Sequence, residues 1–311
     1  GLALQQKLQA WQKADNANLV RWVEVFSQSV QLHATPLSVA EGFGKQLNAQ
    51  PRAWIFTSAT LAVKSDFSHY LGQMGLEAAT TGYWNSPFDY GQQALLYVPN
   101  GMPEPNSPGY SAAVAAAALP VIRASRGRAF VLSTSLRAMR EIHALLKDAF
   151  STEGMEYPLL MQGESARTEL LDRFRALGNA VLVGSQSFWE GVDVRGEALS
   201  AVIIDKLPFA PPDDPVLAAR IDKMNAEGRN AFMEYQLPYS VITLKQGAGR
   251  LIRDEADRGV LMICDPRLIA KHYGRRIWQS LPPFKRTRDI AEVEAFFEQA
   301  ADDAMAEAGK D

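Results

Sequence analysis

Apolar and polar positions divide this chain into stretches of different rhythm. Up to about residue 32, Leu19, Trp22, Val23 and Phe26 recur three and four apart, the spacing of one helix face. Thr35-Pro36 supplies a cap and a first-turn proline for a second helix through Leu47. Ala53-Trp-Ile-Phe56 reads as a short buried strand running into the hydroxyl-rich Thr57-Ser-Ala-Thr60, with a helix near 66–71. From 82 to 110 the periodicity is lost, and Pro87, Pro99, Pro103, Pro105 and Pro108 mark a domain junction near 90–110.

Beyond the junction the alternation is regular. Helices are predicted at 112–124, 136–150, 166–177, 216–233, 240–252 and 266–279, and strands at 129–132, 159–161, 180–183, 201–206 and 259–264. Strands separated by helices predict an α/β fold with a parallel sheet covered on both faces. The end of the chain changes again. Pro282-Pro-Phe-Lys-Arg-Thr-Arg288 is basic and proline-led, and the tail helix expected over 289–311 carries eight acids against one lysine. Val293, Phe296 and Phe297 form an apolar stripe on that tail, a pattern that docks on its own domain more often than on a partner.

Composition narrows the class. A chain of 311 residues suffices for one large or two ordinary domains, and 47% hydrophobic with 22% charged residues is ordinary for a well-cored protein. The formal charge of −3 provides no overall basic field, so any nucleic-acid contact has to come from a local groove. No apolar stretch reaches the roughly 20 residues of a membrane helix. No signal peptide is visible, and the single cysteine, Cys264, excludes an internal disulfide, which favours the cytoplasm. His33, His69, His143 and His272 have no ligand spacing, so neither a zinc nor an iron–sulfur site can be assembled.

Four short stretches carry candidate chemistry. Gln246-Gly-Ala-Gly-Arg-Leu-Ile-Arg253 is expected to put Arg250 and Arg253 on one side of a helix, with Gly247 and Gly249 leaving room for an anion. Arginine suits that task because its planar fork meets phosphate oxygens two at a time. Surface ion pairing is the plain alternative. A dinucleotide-binding turn is another, which fails where Ile252 replaces a small residue. Asp254-Glu-Ala-Asp257 reads as solvated charge at a helix end. Thr57 to Thr60 places hydroxyls at a strand end or simply caps a helix. Phe130-Val-Leu-Ser-Thr-Ser-Leu136 is a strand entering a hydroxyl-rich helix start, and Gly184 to Asp193 puts a carboxylate in a loop at the same sheet edge.

In combination and order, Thr57-Ser-Ala-Thr-Leu61, Phe188-Trp-Glu-Gly-Val-Asp193 and Gln246 to Arg253 resemble motifs III, V and VI of superfamily 2 helicases. More narrowly the chain resembles the DinG and XPD (Rad3-related) DNA helicases, with the YoaA-type members nearest. Tyr97-Val-Pro-Asn-Gly-Met-Pro103 and Ala201-Val-Ile-Ile-Asp-Lys-Leu-Pro-Phe209 extend the likeness over nearly the whole chain.

The resemblance implies a helical lead-in over 1–32 and a remnant of helicase domain 1 with motif III over 33–90. A RecA-like helicase domain 2 with motifs IV, V and VI then covers 91–288, and an acidic tail helix 289–311. It implies ATP and magnesium bound between two RecA-like domains, Arg250 and Arg253 as arginine fingers with Gln246 beside them, and Asp193, Gly191, Glu190 and Gly249 near the nucleotide. Ser133, Thr134, Ser135 and Ser185 would meet the DNA backbone, and Ser58 and Thr60 would couple the domains. Movement would be 5′ to 3′ on single-stranded or forked DNA in repair or replication. A clamp-loader subunit of the chi kind would be a partner through the tail. Missing are a phosphate loop, for which Gly42-Phe-Gly-Lys45 is too short, the metal-holding acids, and the cluster cysteines. The resemblance is therefore to the carboxy-terminal portion of such an enzyme, expected to be inactive alone. A catalytically silent RecA-like interaction module is the alternative.

Overall fold

The computed structural model describes residues 2–13, 18–50, 52–188 and 198–308. The first half of the chain forms α1 (Leu2–Gln12), β1 (Leu19–Val25), β2 (Val30–Pro36), α2 (Ala40–Asn48), α3 (Ser68–Met74), α4 (Tyr90–Gln93), β3 (Ala94–Tyr97), α5 (Tyr110–Ala124), β4 (Ala129–Ser133) and α6 (Leu136–Glu153). Then come β5 (Leu159–Met161), α7 (Arg167–Leu177), β6 (Val181–Ser185), β7 (Ala201–Ile204), α8 (Pro215–Ala226) and α9 (Leu237–Ala248). The last are β8 (Gly259–Ile263), α10 (Arg267–Ala270), α11 (Gly274–Trp278), β9 (Lys285–Thr287) and α12 (Ile290–Ala308). No helix among the described residues is long and apolar enough to cross a membrane.

The chain divides into two compact units. One comprises Gly1–Tyr83 with Phe209–Ile242, the other Trp84–Pro208 with Thr243–Asp311. In the first, the helical stretch expected up to about residue 32 is a helix only over Leu2–Gln12, and its later part is instead an antiparallel hairpin, β1 on β2, paired from Leu19↔Pro36 to Val25↔Val30. Valine and tryptophan favour the pleated surface over a helix, and Trp22 stacks on His33 across the ladder with ring centroids 4.7 Å apart. Thr35 and Pro36 are consequently extended, and α2 starts only at Ala40. Residues 53–56 form no strand; Trp54 and Phe43 instead pack against Phe56. The stretch Phe209–Ile242, which the pattern joins to the sheet domain, clusters here. Arg220 Nη2 donates to Leu37 O at 2.6 Å, and Lys223 Nζ to Asn18 Oδ1 at 2.6 Å. The helix expected over 216–233 stops at Ala226, after which Gly228 takes a left-handed φ of 73°.

The second unit is a seven-stranded sheet ordered β5-β6-β4-β7-β8-β3-β9, with every pair parallel. Strands β3, β4, β6, β7 and β8 are buried throughout, which is why they read as continuous apolar runs. Alternate residues serve opposite faces. Val131, Val183, Ile203 and Met262 join Val114, Ile142, Leu146, Val293 and Phe297 from α5, α6 and α12 in one core, and Phe130 meets Phe174 of α7 at 4.7 Å. Strands β3 and β9 escape the sequence pattern, the first by lying in the proline-rich stretch, the second because an edge strand tolerates charge. The helix expected over 266–279 is interrupted between α10 and α11. The acidic tail is no appendage: Val293 is fully buried and Phe297 nearly so.

Candidate active site

At the carboxyl edge of the sheet, Ser133 ending β4 and Ser185 ending β6 are register partners. Ser185 donates through its amide and hydroxyl to Gln162 Oε1 at 2.7 and 3.0 Å. Ser133 is fully buried, and its hydroxyl has no hydrogen-bond partner among the described residues. The next two residues turn outward. Thr134 donates through its amide to Asp205 Oδ1 at 3.0 Å, while the exposed Ser135 caps α6 by accepting from the Ala138 amide at 3.2 Å. The four predicted hydroxyl residues thus gather on one edge, with Ser135 the most open.

Two buried carboxylates that the sequence pattern passes over organise this edge. Asp205 follows β7 and also accepts from the Lys206 amide at 2.6 Å; Asp265 follows β8, accepts from the Leu207 amide at 2.8 Å and pairs with Arg267 at 2.6 Å. Tyr110 joins the two strand ends by donating to Asp205 O at 2.7 Å and Cys264 O at 3.3 Å. Asp205 directly follows apolar β7 and Asp265 follows β8 after Cys264, and this place behind an apolar run is the one signal that could have found them.

Burial raises the Asp205 carboxyl to about 6 against the hydrogen bonds of Thr134 and Lys206, from an ordinary 3.8. The folded state therefore holds its proton more tightly than the unfolded chain. That stabilisation is complete below about pH 4 and is lost as pH rises through about 6. Asp205→Asn keeps an oxygen for both amides and turns its NH₂ to the Thr134 hydroxyl. Relative to this variant, the parent is expected to lose about 2.5 kcal/mol between pH 4 and 7. Urea midpoints of both proteins across that range check it; parallel curves would contradict it.

The arginine stretch is built differently from its prediction. Helix α9 ends at Ala248, so Arg250 and Arg253 do not share a helix face. Gly249 removes the side chain that would prolong the helix, and the chain turns, with Arg250 N bonded to Gly247 O at 3.2 Å. Leu251 and Ile252 then plunge into the core while Arg250 and Arg253 remain half-buried. Gly259 permits this, since a β-carbon there would lie 2.5 Å from Leu251 Cδ1 and from Ser200 O.

Asp257, expected to be solvated, folds back and accepts from the Arg253 and Asp254 amides at 2.7 and 2.8 Å. From the last residue of α4, just ahead of β3, the buried Gln93 amide donates to the carbonyls of Asp254, Glu255 and Asp257 at 2.9, 2.9 and 3.1 Å. A lone glutamine gives no sequence signal of such a clamp. Gln93→Ala is expected to release the carbonyls of Asp254, Glu255 and Asp257 to solvent and to destabilise the unit by about 0.5–1.5 kcal/mol. Faster amide exchange at 253–257 than in the sheet would accompany it, and exchange at parental rates would contradict the clamp.

This loop lies by the amino ends of β3 and β8, whereas the serines lie at the carboxyl edge, so the structure does not bring the predicted residues to a single edge. Gln246 is half-buried on the last turn of α9 and Gly249 is exposed just beyond it. Ser58 and Thr60 belong to the first unit, their hydroxyls 3.1 Å apart. Glu190, Gly191 and Asp193 lie outside the described residues. Among those described, no group of three or more His, Cys, Asp or Glu could hold a metal ion, and Cys264, the one cysteine of the sequence, is buried and cannot by itself hold an iron–sulfur cluster.

Residues 118–284 match the helicase C-terminal domain family. Over 275 residues the chain is 50% identical to the ATP-dependent DNA helicase YoaA of Escherichia coli (strain K12), covering 88% of this chain and 42% of that protein. Over 276 residues it is 36% identical to the ATP-dependent helicase DinG of Mycobacterium tuberculosis (strain H37Rv), covering 87% and 40%. The chain thus spans about two fifths of the length of these curated relatives. Among solved structures, an XPD helicase shares the fold at a TM-score of 0.62 and 17% identity, covering 91% of this chain and 49% of that one.

Proposed function

Because this chain belongs to the helicase C-terminal domain family, as a RecA-like portion of the DinG/XPD type in superfamily 2, we propose that it is the carboxy-terminal motor part of an ATP-dependent DNA helicase. The observation that carries the reading is the arginine turn, half-buried and clamped from two sides by Gln93 and Asp257. Hydrolysis of ATP supplies the free energy. Arg250 and Arg253 would neutralise charge growing on the transferred phosphoryl oxygens, and Gln246 would orient the reacting groups from the last turn of α9. Gly249 lets the backbone approach the phosphates, and Asp193, Gly191 and Glu190 would line the same cleft. Magnesium and an iron–sulfur cluster would be held by residues outside this chain, and Ser58 and Thr60 would pass nucleotide state to domain closure.

Nucleic acid would lie at the other end of the sheet, where backbone amides and the hydroxyls of Thr134 and Ser135 meet phosphates without reading sequence. Ser133 and Ser185 would support that edge from within. The substrate would be single-stranded or forked DNA in the cytoplasm, tracked 5′ to 3′ during repair or replication. A chi-type clamp-loader subunit would meet the outward face of α12, where Glu294 and Glu298 are exposed, since Val293 and Phe297 are committed to the core. That commitment also weighs against a silent module that docks through the apolar stripe.

Steady-state ATP hydrolysis tests the reading. This chain alone is expected to show none, and a polypeptide extended upstream to the length of the relatives is expected to hydrolyse ATP faster with single-stranded DNA. Turnover by this chain alone, or an extended protein indifferent to DNA, would overturn it.

A further inference from the structure

The basic segment near the end of the chain is unused by the reading above. Residues 267–288 carry seven Lys or Arg and no Asp or Glu, in a chain whose formal charge is −3. The fold concentrates this charge in a cleft of about 980 Å³ at the carboxyl ends of β3 and β9, closed on one side by α10 and α11. Lys271, Arg275, Arg286 and Arg288 line it and are all exposed. Among the described residues none of the four makes an ion pair, although Asp289 and Glu292 share the rim and Glu292 lies 3.8 Å from Lys285. Four unpaired cations around one concavity repel each other, a cost that a polyanion removes. The floor is apolar, with Leu96, Val98 and Leu268, and Trp278 stands beneath the Arg286 guanidinium at 4.1 Å.

Cations beside an apolar, aromatic floor suit phosphates linked to flat bases, the chemistry of a single nucleic-acid strand. The position supports this. In the strand order, β9 stands five places from β6, a span of about 24 Å at the usual strand spacing. Ser185 and Ser133 therefore share the carboxyl edge with the cleft, separated by strand ends that Asp205 and Asp265 tie down from within.

We propose that this cleft is a second binding site for the phosphate backbone of single-stranded nucleic acid, extending the track on the serine-rich edge to the far side of the sheet. The proposal rests on the nucleic-acid side of the helicase reading, not on its arginine fingers. Lys271, Arg275 and Arg288 contact phosphates, and Arg286 with Trp278 supports a base or sugar.

The test is fluorescence anisotropy of a dye-labelled oligothymidylate with this chain, titrated at several salt concentrations. Arg275→Glu/Arg288→Glu is compared with the milder Arg275→Gln/Arg288→Gln and with Lys147→Glu, an exposed charge reversal on α6; thermal melting verifies that each is folded. The glutamate pair is expected to weaken binding at least tenfold at low salt. The glutamine pair is expected to lower the slope of log affinity against log salt by about one per arginine, and Lys147→Glu to change neither. Equal affinity and slope in all variants would overturn the site. Loss of polyaspartate binding by the same variants, with oligothymidylate binding intact, would assign the cleft to an acidic protein and also overturn it. Because no hydrolysis is measured, failure here is distinct from failure of ATP turnover in the extended protein.

Discussion

Replacing Arg250 or Arg253 by alanine in the extended protein is expected to lower DNA-stimulated ATP turnover by about a thousandfold while leaving the KM for ATP within a few-fold of the parent. The split arises from when the guanidinium acts: charge on the phosphoryl oxygens is greatest in the transition state, so a cation aimed there contributes little to ground-state binding. The turn makes the effect specific. Leu251 and Ile252 anchor the backbone between the two arginines, and Asp257 fixes the Arg253 amide, so side-chain truncation leaves the loop in place. Steady-state kinetics with each variant check this. Unchanged turnover would return both arginines to structural pairing, and a KM rise alone would make them ground-state anchors.

Phe297→Ala is expected to destabilise the sheet unit by about 3–5 kcal/mol, because it removes a ring from the core shared by α5, α6 and α12 and leaves a cavity. Phe296→Ala on the same helix should cost distinctly less, as Phe296 is only partly buried. Urea unfolding monitored by far-ultraviolet circular dichroism measures both. Equal costs, or a Phe297→Ala cost below about 1 kcal/mol, would mean that α12 is peripheral and that its apolar stripe remains available to a partner.

How far each element could be read from the sequence depends on which interactions set it. The runs at 129–132, 180–183, 201–204 and 259–263 are legible because strands buried on both faces read as near-continuous apolar runs. Leu19, Trp22, Val23 and Phe26 misled because a half-exposed hairpin can mimic helical spacing by chance, while the β-branched content of 19–25 pointed the other way. The two motif arginines were found by composition, but their setting was not. Gly249 ends the helix, and a glutamine some 160 residues earlier clamps the turn beyond it, a tertiary arrangement with no local trace. Asp205 and Asp265 show the intermediate case. Their place after apolar strands is visible, whereas their burial and their grip on neighbouring turns emerge only once the strands are side by side.

The most direct test of the central claim is strand separation by the extended protein on a partial duplex carrying either a 5′ or a 3′ single-stranded tail. ATP-dependent release of the 5′-tailed strand is expected, with the 3′-tailed substrate left paired and the Arg250→Ala/Arg253→Ala double variant inactive on both. ATP-independent release, separation of neither substrate by a folded protein that binds DNA, or full activity in the double variant would contradict it.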